Sequence, residues 1–463
     1  MNLERVIAAL APADVLRRAP VEIGDLAYDA RAAGPGSLFF CVPGSRADGH
    51  DFAADAVANG AVALVVERPV DVDVPQLVVP DVRRAMAPVA VEFFGRPSEE
   101  LQVAGVTGTN GKTTTAFLLY SILAAAGRRP GLLGTIESRV GGERRPAIRT
   151  TPEAIDVQRA FHEMLDAGDR SCAMEATSHG SELGRLDQVR FAALVFTNLS
   201  QDHLDFHRTM ERYFAAKQRL FLEGRPPAAI NVGNEWGRTL AADRSDALTF
   251  GFSDEAELGP AELDGIDLKL RGRFNAENAL GALAASRLLG IDDDAIARGL
   301  EAVRGVPGRF ESVAEGQPFE VIVDYSHKPE ALESVLRTAR EMTSGRVICV
   351  FGCGGDRDRG KRPLMGRIAS ELADVAIVTS DNPRSEDPQA IIDEILAGVT
   401  GEVEVEPDRA AAIERAISTA DDGDVVLIAG KGHEQGQEFA DRTIPFDDRE
   451  VARDVLRRLG AKA

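Results

Sequence analysis

From Gly105 to Thr114 the chain reads Gly-Val-Thr-Gly-Thr-Asn-Gly-Lys-Thr-Thr, straight after the apolar run Leu101–Val106 and just before a helical stretch reaching about Ala126. A strand that turns through glycines into a helix opening on Gly-Lys-Thr constrains the fold more than any other feature, because it calls for a parallel α/β layer behind it. Gly108 and Gly111 let the backbone curl, with Thr109 and Asn110 between them, so that successive N–H groups converge on one point. Lys112 can reach a β- or γ-phosphate, the Thr113 hydroxyl can ligate Mg²⁺, and Thr114 follows in the helix whose positive end adds to the attraction. The usual phosphate loop has glycine six residues before its lysine, where this chain has Val106. Ordinary kinases and GTPases therefore fit less well than a variant nucleotide loop. The bland alternative is a Gly-rich turn that holds no ligand.

A chain of 463 residues with 44% hydrophobic content can fill two or three ordinary cores. No apolar run approaches the ~18 residues of a membrane helix, and Met1–Pro20 lacks the pattern of a signal peptide. We therefore expect a cytoplasmic protein with no membrane insertion. The net charge of −21 argues against a nucleic-acid-coating protein, which needs a basic face. A small phosphorylated ligand stays compatible, since a few local cations and helix N-termini suffice. Cys41, Cys172, Cys349 and Cys353 are scattered, and with no second pair beside the last two they read as reduced thiols.

The sequence divides into three α/β blocks, taken as 1–96, 97–305 and 306–463. In the first, Ser37–Val42, Ala61–Val66 and Gln76–Val79 read as strands, alternating with helices near Asp51–Asn59 and Asp81–Phe94, until Gly95-Arg96-Pro97-Ser98 breaks the pattern. The second block continues past the glycine turn with strands at Cys172–Met174, Ala192–Phe196 and Ala228–Asn231 and a helix at Asn275–Leu289; Leu248–Lys269 shows no period. In the third, strands at Val321–Asp324, Val347–Phe351, Val375–Thr379 and Val425–Ala429 alternate with helices at Pro329–Met342, Met365–Ala373, Ala390–Ala397 and Arg409–Thr419. Such alternation predicts parallel strands covered by helices. The fold class is α/β in three domains: a central P-loop domain with a mostly parallel sheet and a C-terminal Rossmann-like α/β domain.

Glu175 ends a predicted strand, where ligands bind in open α/β sheets, and is suited to a metal, although an N-cap or surface carboxylate would read the same way. Another strand leads into Asn198-Leu-Ser-Gln-Asp202-His203-Leu-Asp205. Hard Mg²⁺ prefers oxygen, so chemistry alone favours Asp202 or Asp205 over His203, whose isolated reading is a loop or cap residue as much as a ligand. Lys217, in the helical stretch Tyr213–Phe221, reads locally as a snorkelling surface lysine.

Together these segments resemble the Mur ligase family. The match runs in order from about Asp25 to Glu434, through Thr107–Thr114, Glu175, Asn198…Asp205, Lys217, Arg273-Phe-Asn275, Gly308-Arg309-Phe-Glu311, Asp324-Tyr-Ser-His327, Gly352…Arg362, Asp381-Asn-Pro-Arg384 and Gly430…Glu434. The resemblance implies an ATP-dependent ligase working through an acyl phosphate, with Mg²⁺, and with CO₂ fixed on Lys217 as a carbamate (N6-carboxylysine). It implies metal contacts at Thr113, Glu175, His203 and carbamylated Lys217, with Lys112, Lys217, His203 and Glu175 as the catalytic set. ATP contacts beyond the loop fall on Asn275, Arg309 and Asp324.

The branch most resembled adds a diamino acid to UDP-N-acetylmuramoyl-L-Ala-D-Glu. Precursor contacts are then expected at Ala30, Ser45, Thr150, Thr151, Thr177 and Arg185, with two departures: Ala30 replaces a usual serine, and Leu183 stands where some relatives have a polar residue. Amino acid contacts are expected at Arg357, Asp381, Asn382, Pro383, Arg384, Gly430 and Glu434. The form Asp381-Asn-Pro-Arg384 resembles that of meso-diaminopimelate-adding enzymes, and a guanidinium fork suits that substrate's second carboxylate, which lysine lacks. The partners expected are thus small substrates, with no nucleic acid and a monomeric chain. Rival readings are an L-lysine-adding ligase, a folylpolyglutamate-synthetase-like ligase, and a non-catalytic nucleotide-binding regulator.

Overall fold

In the computed structural model, which describes residues 1–44 and 47–460, the strands predicted from apolar runs join others in three large sheets, and Gly436–Glu438 pairs with Thr443–Pro445 in a small two-stranded ribbon. The first has five strands in the order Asp14–Leu16, Gln76–Val78, Ala61–Val66, Ser37–Phe40, Asp25–Ala27, parallel except for the first pair. The second has eight, in the order Leu248–Phe250, Ala228–Asn231, Phe191–Phe196, Gln102–Thr107, Ser171–Glu175, Pro130–Leu133, Glu137–Val140, Glu143–Pro146. Its first six strands run parallel, and the last two form an antiparallel extension. The third orders Glu311–Ser312, Glu320–Asp324, Val425–Ala429, Val347–Phe351, Val375–Val378, Glu404–Val405, with only the first pair antiparallel. The α/β expectation holds.

Parallel strands must be covered on both faces, and the cores show this. Over one face of the central sheet lie Phe117, Leu118, Ile122, Leu280 and Leu283; under the other lie Phe161, Met174, Phe196, Phe214 and Phe221. The helix after the glycine turn, Lys112–Ala125, is buried along most of its length between that sheet and the helices Arg273–Leu288 and Asp293–Ala302. This explains why it carries no clear polar face.

Some elements escape a pattern reading. The helix expected from Met365 begins at Lys361. Leu248–Lys269 contains the short strand Leu248–Phe250 and a single 3-10 turn at Pro260–Leu263. The strand Glu143–Pro146 is exposed throughout and so shows no apolar alternation. All four cysteines are buried and unpaired.

Candidate active site

Three neighbouring strands, Phe191–Phe196, Gln102–Thr107 and Ser171–Glu175, end side by side. Their carboxyl-end loops therefore bring the glycine turn, the Asn198–His203 segment and Glu175 to one place, as open α/β sheets do. Val106 is still inside its strand, and its carbonyl accepts from Ala176 N at 2.8 Å; the curl starts only after Thr107. Gly108 and Gly111 have φ of +146° and +84°. A Cβ would lie 1.9 Å from Thr197 Oγ1 at the first and 2.1 Å from Asn278 Oδ1 at the second, so both positions need glycine. Asn198 pins the turn: its carbonyl accepts from Thr109 N and its side chain from Asn110 N, each at 2.9 Å.

Around this turn a cavity of about 510 Å³ is lined by Thr109, Asn110, Gly111, Lys112, Thr113, Thr114, Thr150, Glu175, Thr177, His203, Arg309 and Asp324, with Asp202 and Lys328. Arg309 and Asp324 come from the C-terminal sheet's side. Arg309 Nη2 donates to Thr113 Oγ1 at 3.1 Å, and its guanidinium lies 4.4 Å from the centre of the Tyr325 ring. Asp324 accepts from Phe310 N at 2.7 Å. Burial pushes its carboxyl upward, while Ser326 and Arg309 pull the other way.

Glu175 is 1% exposed. It accepts from Thr113 Oγ1 at 3.1 Å, Thr135 N at 2.7 Å and Thr135 Oγ1 at 3.1 Å, so it is neither a surface carboxylate nor a cap. Lys217 is likewise no snorkelling residue: at 1% exposed it lies behind the turn, its Nζ donating to Gly108 O at 2.9 Å. Burial, then the charges of Lys112 and Lys328, push its amine well below the ordinary lysine range. Burial, then Lys328, also lowers Lys112 to about 8. His203 adopts φ +54°, and its Nε2 lies 3.1 Å from Asp202 Oδ2.

A second cavity of about 410 Å³ is lined by Arg357, Asp381, Asn382, Arg384, Gly430 and Glu434. It shares Asp202, His203, Tyr325, His327, Lys328 and Glu330 with the first. Asn382 Nδ2 donates to Glu434 Oε2 at 2.7 Å, and Lys431 Nζ to Asn382 Oδ1 at 2.9 Å. Asp381 Oδ2 is buried without a hydrogen-bond partner, beside Gly430, where a Cβ would approach it to 2.5 Å.

The other expected positions lie outside these linings. Thr151 is buried and links Glu175 O, at 2.8 Å, to Thr177 Oγ1, at 2.9 Å. Arg185 Nη1 donates to Thr151 O at 3.1 Å, and Asn275 Nδ2 to Arg271 O at 2.8 Å. Pro383 sits within the loop between Asn382 and Arg384. Ala30 accepts from Asn59 Nδ2 at 2.9 Å and touches neither cavity; Ser45 lies outside the described residues. Asp202, held open as a metal ligand, forms an ion pair with Lys328 Nζ at 2.7 Å. Lys328 was missed, although it follows the quoted Asp324–His327 segment directly.

Among the described residues no cluster of three or more His, Cys, Asp or Glu side chains forms a ready metal cage. The hydroxyl of Thr113 beside the Glu175 carboxylate still suits Mg²⁺, which takes few protein oxygens and completes its shell with water and phosphate.

Residues 22–94, 106–286 and 308–432 match, in turn, "Mur ligase family, catalytic domain", "Mur ligase middle domain" and "Mur ligase, glutamate ligase domain". The UDP-N-acetylmuramoyl-L-alanyl-D-glutamate–2,6-diaminopimelate ligase of Solibacter usitatus is 47% identical, over 99% of each chain. The protein of the same name from Geobacillus thermodenitrificans is 44% identical over 99% of each. A solved structure of a ligase so named superposes with a TM-score of 0.65 at 32% identity, covering 95% of this chain and 96% of that one. With domain matches in this order and relatives this similar along their full length, the chain belongs to the Mur ligase family.

Proposed function

We propose that this protein is an ATP-dependent ligase joining meso-2,6-diaminopimelate to UDP-N-acetylmuramoyl-L-Ala-D-Glu in cytoplasmic peptidoglycan precursor synthesis. One observation carries the reading: the cavity at the glycine turn and the cavity at Arg384 share the wall made by Asp202, His203, Tyr325, His327 and Lys328. A carboxyl group activated in the first is thus within reach of an amine held in the second. The names of the relatives supply the substrate pair.

In this reading the precursor's D-Glu carboxylate attacks the γ-phosphorus of ATP, ADP leaves, and an acyl phosphate forms. The diamino acid's neutral amine then attacks the acyl carbon and phosphate departs. Two anions meet in the first step, so Lys112 and Arg309 neutralise charge where it accumulates. Mg²⁺, held by Thr113, Glu175 and His203 with the carbamate of Lys217 as a further oxygen donor, would supply the remaining neutralisation. The carbamate fits a lysine kept neutral by burial, since only the free amine adds CO₂. Asn275 and Asp324 complete the nucleotide site. Thr150, Thr151, Thr177 and Arg185 hold the precursor, whose uridine end falls to the unit 1–96 with Ala30 and Ser45. The unit 306–463 brings Arg357, Asp381–Arg384, Gly430 and Glu434 to the amino acid. The working form is taken to be a monomer.

A phosphate-release assay with UDP-N-acetylmuramoyl-L-Ala-D-Glu and a panel of diamino acids tests this. ATP turnover that needs the precursor and is fastest with meso-diaminopimelate is expected. Turnover fastest with lysine would overturn the specificity, and none with any diamino acid would overturn the function.

A further inference from the structure

Outside both linings but next to Thr150 of the first, where the first and central sheets meet, one carboxylate gathers three guanidinium groups. Glu153 is 2% exposed and occupies the N-cap of the helix Ala154–Asp166, yet its side chain makes no capping bond. Instead its Oε1 lies 2.8 Å from Arg83 Nη1, 2.9 Å from Arg185 Nη2 and 3.8 Å from Arg149 Nη1. Its Oε2 and Arg185 Nε are buried without partners. A buried charge is tolerated only when paired, and here Glu153 faces three cations from separate segments, with the Asp156 carboxylate also acting on Arg149.

The geometry has a direction. Arg83 begins a helix of the N-terminal unit, Val82–Phe93, so Glu153 ties that unit to Arg185. The next residue, Arg84, reaches Glu182 O at 3.2 Å and Asp187 Oδ2 at 3.4 Å, gripping the segment that carries Arg185. Arg185 Nη1 is fixed on Thr151 O, in the run with Thr150, which faces the cavity. Burial pushes the Arg185 guanidinium down from its ordinary value and Glu153 opposes this.

We propose that Glu153 is a positioning residue for the precursor. It aims Arg185 at an anionic group of the UDP-linked dipeptide and, through Arg83, makes that aim depend on docking of the N-terminal unit. This rests on the reading that Arg185 contacts the precursor.

The test is steady-state kinetics on Glu153→Gln, Arg185→Ala and the double variant. For Glu153→Gln we expect the precursor KM to rise roughly tenfold, with KM for ATP and diaminopimelate and the kcat held within about twofold. In the Arg185→Ala background the same change should add nothing. If Arg185→Ala leaves the precursor KM unaltered, the underlying reading fails and the proposal with it. If Arg185→Ala raises KM but Glu153→Gln does not, or the two effects multiply, the proposal alone is overturned. Should Glu153→Gln not fold, Arg83→Gln keeps the Glu153–Arg185 pair. It should raise the precursor KM severalfold only when Arg185 is present, and no rise would overturn the proposal.

Discussion

Lys112 and Lys217 donate to the same oxygen: each Nζ lies 2.9 Å from the carbonyl of Gly108. Two ammonium ions cannot share one buried carbonyl without cost, and both amines are lowered by burial: Lys112, supported by the charges of Glu175 and Asp202, to about 8, and Lys217, supported by Asp202, well below the ordinary lysine range. A neutral amine adds CO₂, forming an N–C bond and releasing a proton, and the resulting anion would then face Lys112. We expect Lys217→Ala to lose on the order of a hundredfold in kcat, with partial recovery when short carboxylic acids are added. Full activity of the variant without such acids would remove the carbamate from the mechanism.

Lys328 poses a separate question. It reaches from the C-terminal unit to Asp202 Oδ2, at 2.7 Å, on the wall common to both cavities. Burial favours the neutral acid, yet the charges of Lys328 and His203 hold the Asp202 carboxyl well below the usual carboxylate range. Lys328→Met removes a cation from the point where the acyl phosphate would form. The expected result is a kcat lower by on the order of a hundredfold, with the ATP KM changed far less and Lys328→Arg partly active. A variant with undiminished kcat would show that charge at this wall is dispensable.

What the sequence made legible follows from locality. The glycine turn, its flanking strand and helix, and the long apolar strands are written in contiguous residues, and so is the alternation behind the three sheets. Glu175 and His203 could be placed near the turn because strand ends in such sheets share an edge. The Glu153–Arg83 pair joins residues 70 positions apart, and Lys328–Asp202 joins different units; neither has a local signal, since each is created only by packing. Lys217 shows the limit most sharply. Its neighbours Tyr213, Phe214 and Phe221 are buried, but aromatic spacing on a helix does not tell whether the lysine among them faces the core or the solvent. The C-terminal helix Asp448–Gly460 is largely charged in sequence, and its place emerges only through packing: Ala452, Val455 and Leu456 enter the core, and Asp448 pairs with buried Arg409 at 2.7 Å.

Stability should depend on pH through the imidazoles around Tyr325. The His433 and His327 rings lie 5.1 and 4.5 Å from it. Burial, then Arg309 and Arg449, lowers His433 to about 3; burial, then Lys328 and Lys361, puts His327 well below its ordinary value. In the unfolded chain both take protons near about 6.5, while in the folded chain they refuse them until far lower. Below that value the unfolded state binds more protons, so stability falls as pH falls. Thermal melts should give a Tm that drops from about pH 7.5 to about pH 5, with a shallower slope for His433→Gln. An identical slope in wild type and variant would rule His433 out as a source.

The choice of amino acid should rest on Arg384. Its backbone is left-handed, at φ +52°, a conformation costing a non-glycine residue about 1–2 kcal/mol. Three bonds hold it there: its N donates to Glu438 O at 3.0 Å, Nε to Glu438 Oε2 at 2.8 Å and Nη1 to Gly355 O at 2.8 Å. Among the described residues Nη2 has no partner, so the fork is oriented yet not used up. A charge-assisted bond to the far carboxylate of meso-diaminopimelate is worth about 1.5–3 kcal/mol, and Arg384→Ala should therefore raise the KM for that substrate by roughly ten- to a hundredfold. Lysine, lacking the carboxylate, should be used equally by wild type and variant, so discrimination collapses from one side only. Arg384→Lys should not restore it, because a point charge cannot reproduce the planar fork. Competition kinetics with the two amino acids decides the matter: if Arg384→Ala keeps the wild-type preference, some other group reads the second carboxylate.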